Sequence, residues 1–208
     1  MHSVVLKNDA VGDLVHSVEA INNITTHSSN NKITVFLSNL SKNYSFLIKN
    51  PKVEIKILNY RLNFIEKIRL LFFLSKKDIK NVYILSPKKF YFFLPLLFRK
   101  KKFFALCINN IGNYKRPSLF LRKFLYKYEV NDREKIFKRK STRYLQNKLT
   151  TEGNVVSKGF NINVDKSDVI NKYLPDNYIY FHFKKKIFNQ LDWKIKQLDL
   201  LFNEFEKY

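Results

Sequence analysis

Cysteine is almost missing from this chain of 208 residues, and glycine is scarce. The single cysteine, Cys107, lies inside the apolar stretch FFALCI, so neither an intrachain disulfide framework nor a cysteine-ligated zinc site can be assembled. That usage suits a reducing, cytoplasmic compartment. Of the four glycines, the stretch Asn8-Asp9-Ala10-Val11-Gly12 holds only one. The dinucleotide fingerprint G-x-G-x-x-G is therefore absent there, and the Walker phosphate loop is absent too. No signal peptide is recognisable, because Met1-His2-Ser3 leads directly into VVLK with Asp9 and Asp13 close behind. There is also no run of about 20 apolar residues of the kind that crosses a bilayer.

Acidic residues are few, 17 against 39 Lys and Arg, which gives a formal net charge of +22. Such an excess draws polyanions. Yet the zinc-finger spacing, the aromatic RNP pattern and the Gly-x-x-Gly loop of nucleic-acid modules are all missing, which argues against a nucleic-acid partner. Only 8 of the 39 basic residues are Arg, and the accompanying excess of Lys, Asn, Ile, Phe and Tyr is what an AT-rich coding sequence produces. Part of the charge is compositional on that reading. The longest uncharged apolar run in the middle of the chain, FYFFLPLLF over 90–98, contains Pro95 and is flanked by Lys88-Lys89 and Arg99-Lys100-Lys101-Lys102. It reads either as a buried helix with a solvated Lys collar or as an interfacial segment facing an anionic membrane surface.

With 45% hydrophobic residues the chain can bury one good core. Apolar, β-rich runs at VVLK, KITVFLS (32–38), VEIKIL (53–58), NVYILS (81–86) and KFFALCI (102–108) alternate with three- and four-residue apolar spacing over 13–25, 40–47, 63–75 and 88–99. This alternation predicts an α/β fold, a Rossmann-like and mostly parallel sheet covered on both faces. From Pro117 a long basic stretch with helical spacing, broken near Val130-Asn131-Asp132, carries the first domain to about residue 150. A polar segment over 151–177, punctuated by Gly153, Gly159 and Pro175, reads as a connection. The strand-like NYIYFHF and the helix-like LDWKIKQLDLLFNEF make 178–208 the beginning of a truncated second domain.

In open α/β sheets ligands bind beyond the carboxyl ends of the strands, so the loop from Lys7 to Asp13 is the first place to look. Gly12 permits a close turn, Asp13 stands at the start of a helix, and His16 follows at i+3 on the same face. Taken structurally, Asp13 is an N-cap and His16 a partly buried, hydrogen-bonded residue. Taken together, the residues Val4-Val5-Leu6-Lys7-x4-Gly12-Asp13-x2-His16-x2-Glu19-Ala20-Ile21 resemble the amino-terminal motif of the ADP-heptose:lipopolysaccharide heptosyltransferases, glycosyltransferase family 9. Glu19 stands where that family usually has Pro.

The resemblance implies a GT-B architecture, with the donor-side domain beginning at 178. It also implies inverting transfer of a heptose-like sugar from a nucleotide-sugar donor to a lipopolysaccharide or other lipid-linked surface-glycan acceptor. No metal and no cofactor take part, and the work is done at the inner face of the cytoplasmic membrane. Asp13 would be the general base and Lys7, Gly12 and His16 would bind substrate. A Lys near the donor phosphates would come from Lys184, Lys185 and Lys186, where the family's small hydroxyl residues are lacking. The alternative is a non-catalytic basic α/β module that binds membrane or an acidic polymer.

Overall fold

The computed structural model describes residues 2–26, 32–48, 50–109, 117–132 and 141–151. Strands β1 (His2–Lys7), β2 (Lys32–Ser38), β3 (Val53–Leu58), β4 (Ile79–Ile84), β5 (Lys102–Asn109) and β6 (Lys127–Asp132) form one sheet in the order β3-β2-β1-β4-β5-β6, with every neighbouring pair parallel. This is the Rossmann-like, doubly wound arrangement that the alternating sequence predicts. All six residues of β1 are buried, as expected for a central strand of a parallel sheet.

The helices are α1 (Val11–Val15), α2 (Val18–Thr26), α3 (Phe64–Leu74), α4 (Leu94–Leu97), α5 (Leu119–Arg122) and α6 (Thr142–Thr150), with 3₁₀ turns at Lys42–Leu47 and Lys89–Phe93. Side chains of β1, β4 and β5 alternate between two cores. Val4, Leu6, Val82, Ile84, Phe103, Ala105 and Cys107 pack with Leu70 and Leu74 of α3, with Leu94 of α4 and with Tyr91 and Phe92. On the other face Val5, Tyr83 and Leu85 pack with Leu14, Ala20, Ile21 and Ile24 of α1 and α2, and Leu106 packs with Leu145 and Leu149 of α6. Helix α3 has the firmest start: the Asn63 side chain accepts from the Glu66 N–H, and the Glu66 carboxylate accepts from the Asn63 N–H.

Several expectations are corrected. The region read as helical around residues 127–132 is a strand, because its side chains alternate with period two. Lys127, Glu129 and Asn131 engage α6 through the Lys148 carbonyl, the Lys148 ammonium (2.6 Å) and the Thr142 hydroxyl (2.8 Å), while Val130 packs into the opposite core. The helix expected over 13–25 is two helices, since the Ser17 hydroxyl bonds the Asp13 carbonyl at 2.9 Å and interrupts the backbone ladder. The helix expected over 88–99 is a 3₁₀ turn followed by the single turn α4, with Pro95 in its first turn. The helix expected over 40–47 is the 3₁₀ turn Lys42–Leu47. The connection from 152 onward and the second domain at 178–208 lie outside the described residues.

Candidate functional site

The strand order reverses between β1 and β4. Crossovers from these two strands leave in opposite directions, so their carboxyl-terminal loops part and leave a crevice. Residues 8–10 follow β1 on one side of it and residues 85–88 follow β4 on the other. The predicted motif is therefore seated where the fold places ligands.

The floor of the crevice is tied together by Asn8, which is fully buried. Its amide nitrogen donates to the Asn59 carbonyl at 2.9 Å, and its amide oxygen accepts from the Tyr91 hydroxyl at 2.6 Å. Its own carbonyl accepts from the Lys88 ammonium at 2.8 Å, and the same ammonium donates to the Tyr60 carbonyl. Burial, helped by the charges of Asp9 and Glu66, pushes the Tyr91 hydroxyl far above its ordinary range, so it stays a donor. One amide thus joins the loops after β1, β3 and β4.

Lys7 ends β1 with its side chain 1% exposed and pairs with Asp9 at 2.8 Å. Among the described residues, the second carboxylate oxygen of Asp9 is buried without a hydrogen-bond partner, and so is the Ser86 hydroxyl. Asp9 and Ser86 lie on the two sides of the β1–β4 switch point, and both atoms are closed off from solvent. Lys7 therefore holds the loop through Asp9 and does not project into solvent.

Asp13 is exposed, in the first turn of α1, and no hydrogen bond or ion pair engages its carboxylate among the described residues. The cap position belongs to Ala10, so the N-cap reading of Asp13 is overturned. Gly12 is exposed within α1, and a Cβ added there would meet nothing within 4 Å. The close turn that Gly12 was expected to permit is helix instead. Its bare backbone leaves open space beside Asp13. His16 caps the carboxyl end of α1 and is exposed, which removes the reading of it as a buried residue; no hydrogen bond joins it to Asp13. Glu19 has a structural task, an ion pair at 2.7 Å with Arg143 of α6. Lys184, Lys185 and Lys186 lie outside the described residues.

Beside the crevice a cavity of about 310 Å³ opens between the loops after β3 and β4, and its walls include Arg61, Lys67, Lys88 and Lys89 with Tyr60 and Phe90. The Lys88 ammonium lies 4.9 Å from the Tyr60 ring centre, and that of Lys67 lies 5.7 Å from the ring centre of Phe90. Four lining cations, two of them over aromatic rings, suit a group that is anionic on one side and apolar on the other. The sequence reading missed Asn8, Asp9, Arg61, Lys88 and Tyr91. Among the described residues no cluster of three or more His, Cys, Asp or Glu is placed to hold a metal ion.

No family model and no curated protein matches this chain. Among solved structures it is similar to one described as the glycosyl transferase family 9 from Veillonella parvula, with 15% identity and a TM-score of 0.49 over 71% of this chain. The chain spans 39% of the length of that protein.

Proposed function

We propose that this chain carries the acceptor side of a glycosyl-transfer site, moving a heptose-like sugar from a nucleotide-sugar donor to a lipid-linked surface glycan with inversion and without a metal. The observation that carries this reading is the state of Asp13: an exposed carboxylate, in no ion pair among the described residues and capping no helix, beside the bare backbone of Gly12 at the β1–β4 switch point. A carboxylate left free there is suited to accept the proton of an attacking hydroxyl within about 2.6–3.2 Å. The cationic cavity at Arg61, Lys67 and Lys89 would seat an acidic or phosphorylated part of the acceptor. The Asn8 hydrogen bonds would hold the loops that carry both.

Asp13→Asn tests this. The substitution should leave the folding stability within about 0.5 kcal/mol, since the carboxylate makes no bond among the described residues. Transfer from a nucleotide heptose to the glycan acceptor should fall by about 10²–10⁴-fold. Near wild-type transfer by Asp13→Asn would remove the general base and with it this reading.

A further inference from the structure

We propose that the outer surface of the helical layer formed by α3, α4 and α5 docks on an anionic lipid bilayer. The layer exposes large apolar side chains on every helix: Phe64 and Phe72 on α3, each 74% exposed, Phe93 and Leu97 at α4, and Leu119 and Phe120 on α5. These helices are linked to one another by side chains. The Lys67 ammonium of α3 faces the Phe90 ring at 5.7 Å, the Arg99 guanidinium just after α4 faces the Phe124 ring at 5.2 Å, and Phe124 meets Phe120 edge-on at 5.4 Å.

Charge decides the partner. No Asp or Glu occurs between Asp78 and Glu129, an interval that holds twelve Lys and Arg. Four of these bond main-chain carbonyls: Lys88 those of Asn8 and Tyr60, Lys101 those of Lys76 and Ile79, Arg122 that of Pro117, and Lys127 that of Lys148 in α6. Arg99, Lys100 and Lys102, which follow α4 in sequence, and Lys123, which follows α5, are exposed. Apolar tips among cations match acyl chains beneath headgroup phosphates. A second copy of the chain would bring the same cationic face against this one, which like-charge repulsion opposes. No helix among the described residues is long and apolar enough to cross a membrane. The inference does not rest on sugar transfer, and lipid binding is read without turnover.

The test is vesicle co-sedimentation of the full chain. Mixed phosphatidylglycerol–phosphatidylcholine vesicles should bind it at least about tenfold more tightly than phosphatidylcholine alone, and salt should release it. Leu97→Glu with Phe120→Glu should weaken binding about tenfold while thermal unfolding stays unchanged. Leu40→Glu with Phe46→Glu, equally exposed on the segment after β2 and identical in charge change, should stay within about twofold of the parent. Phe120→Trp should add an emission component that shifts blue on anionic vesicles, read as a difference from the parent with its single Trp193. Equal loss in both double variants, equal binding to both vesicle types, or an unshifted Phe120→Trp component would each overturn the proposal. So would a dimer that the Leu97 and Phe120 substitutions dissociate in place of vesicle binding.

Discussion

The two faces of the sheet are covered by helices of opposite character. Helix α2 turns Val18, Ala20, Ile21 and Ile24 inward and buries all four, and it is stitched to α6 by polar contacts. The Ser17 hydroxyl donates to the Gln146 amide oxygen at 2.9 Å, and Glu19 meets Arg143 at 2.7 Å. Across the sheet, α3 and α4 bury Leu70, Leu74 and Leu94 yet also present Phe72 and Leu97 to the outside. The first layer is amphipathic and ends at solvent. The second is apolar on two sides, which a helix facing only water has no reason to be. Apolar content therefore overstates what this chain buries, and part of the surplus lies on the outside of α3, α4 and α5.

The sharpest way to break that comparison is to delete equivalent apolar groups from both layers. Ile21→Ala, at a site with no exposure, should cost about 2–5 kcal/mol in chemical denaturation. Phe72→Ala should change stability by no more than about 0.5 kcal/mol. Similar losses from the two would show that the outer aromatics are structural after all.

Cys107 probes whether the α3–α5 layer seals the core beneath it. Burial pushes this thiol up to about 12, so at pH 8 it is almost wholly protonated. Its reaction with a thiol reagent should be about 10³-fold slower than in the denatured chain. A rate close to the denatured one would mean that this layer opens readily.

The smallest effect is expected at the β3 edge, outside both helical layers. Hydrogen bonds from Lys56 and Lys32 lower the Glu54 carboxyl from 4.5 to about 2. A lowered carboxyl adds stability that is complete above pH 4.5 and is lost as pH falls from there toward 2. The group is largely solvent-screened, so the contribution stays below about 1 kcal/mol. In an acid-unfolding series, Glu54→Gln should flatten that part of the pH dependence and leave the rest unchanged.

Legibility followed the range of the interactions involved. The parallel sheet could be read from alternating apolar runs because burial on both faces leaves near-continuous hydrophobic strands. Residues 127–132 escaped, since an edge strand carrying Lys127, Glu129 and Asn131 has no such run, and its alternation makes sense only against α6. Asp13 could be picked out because the motif around it is local. Its surroundings could not: the partners of Asn8 lie 51, 80 and 83 residues away, and no spacing rule connects them. Gly12 was read as permitting a close turn and lies inside α1 instead, since a glycine records freedom of the backbone without saying whether that freedom is used.

The position of β1 in the sheet has a consequence for how the chain is made. β1 pairs with β2 on one side and with β4 on the other, and residues 8–78 are synthesised between β1 and β4. At about 5–20 residues per second, the ribosome takes roughly 4–15 s to deliver them. Throughout that interval the strand that precedes Asp13 has one hydrogen-bonding edge without its native partner. The crevice cannot exist before Ile84 has left the exit tunnel, so the last strand needed to form the site sets the time at which the nascent chain first becomes competent to bind.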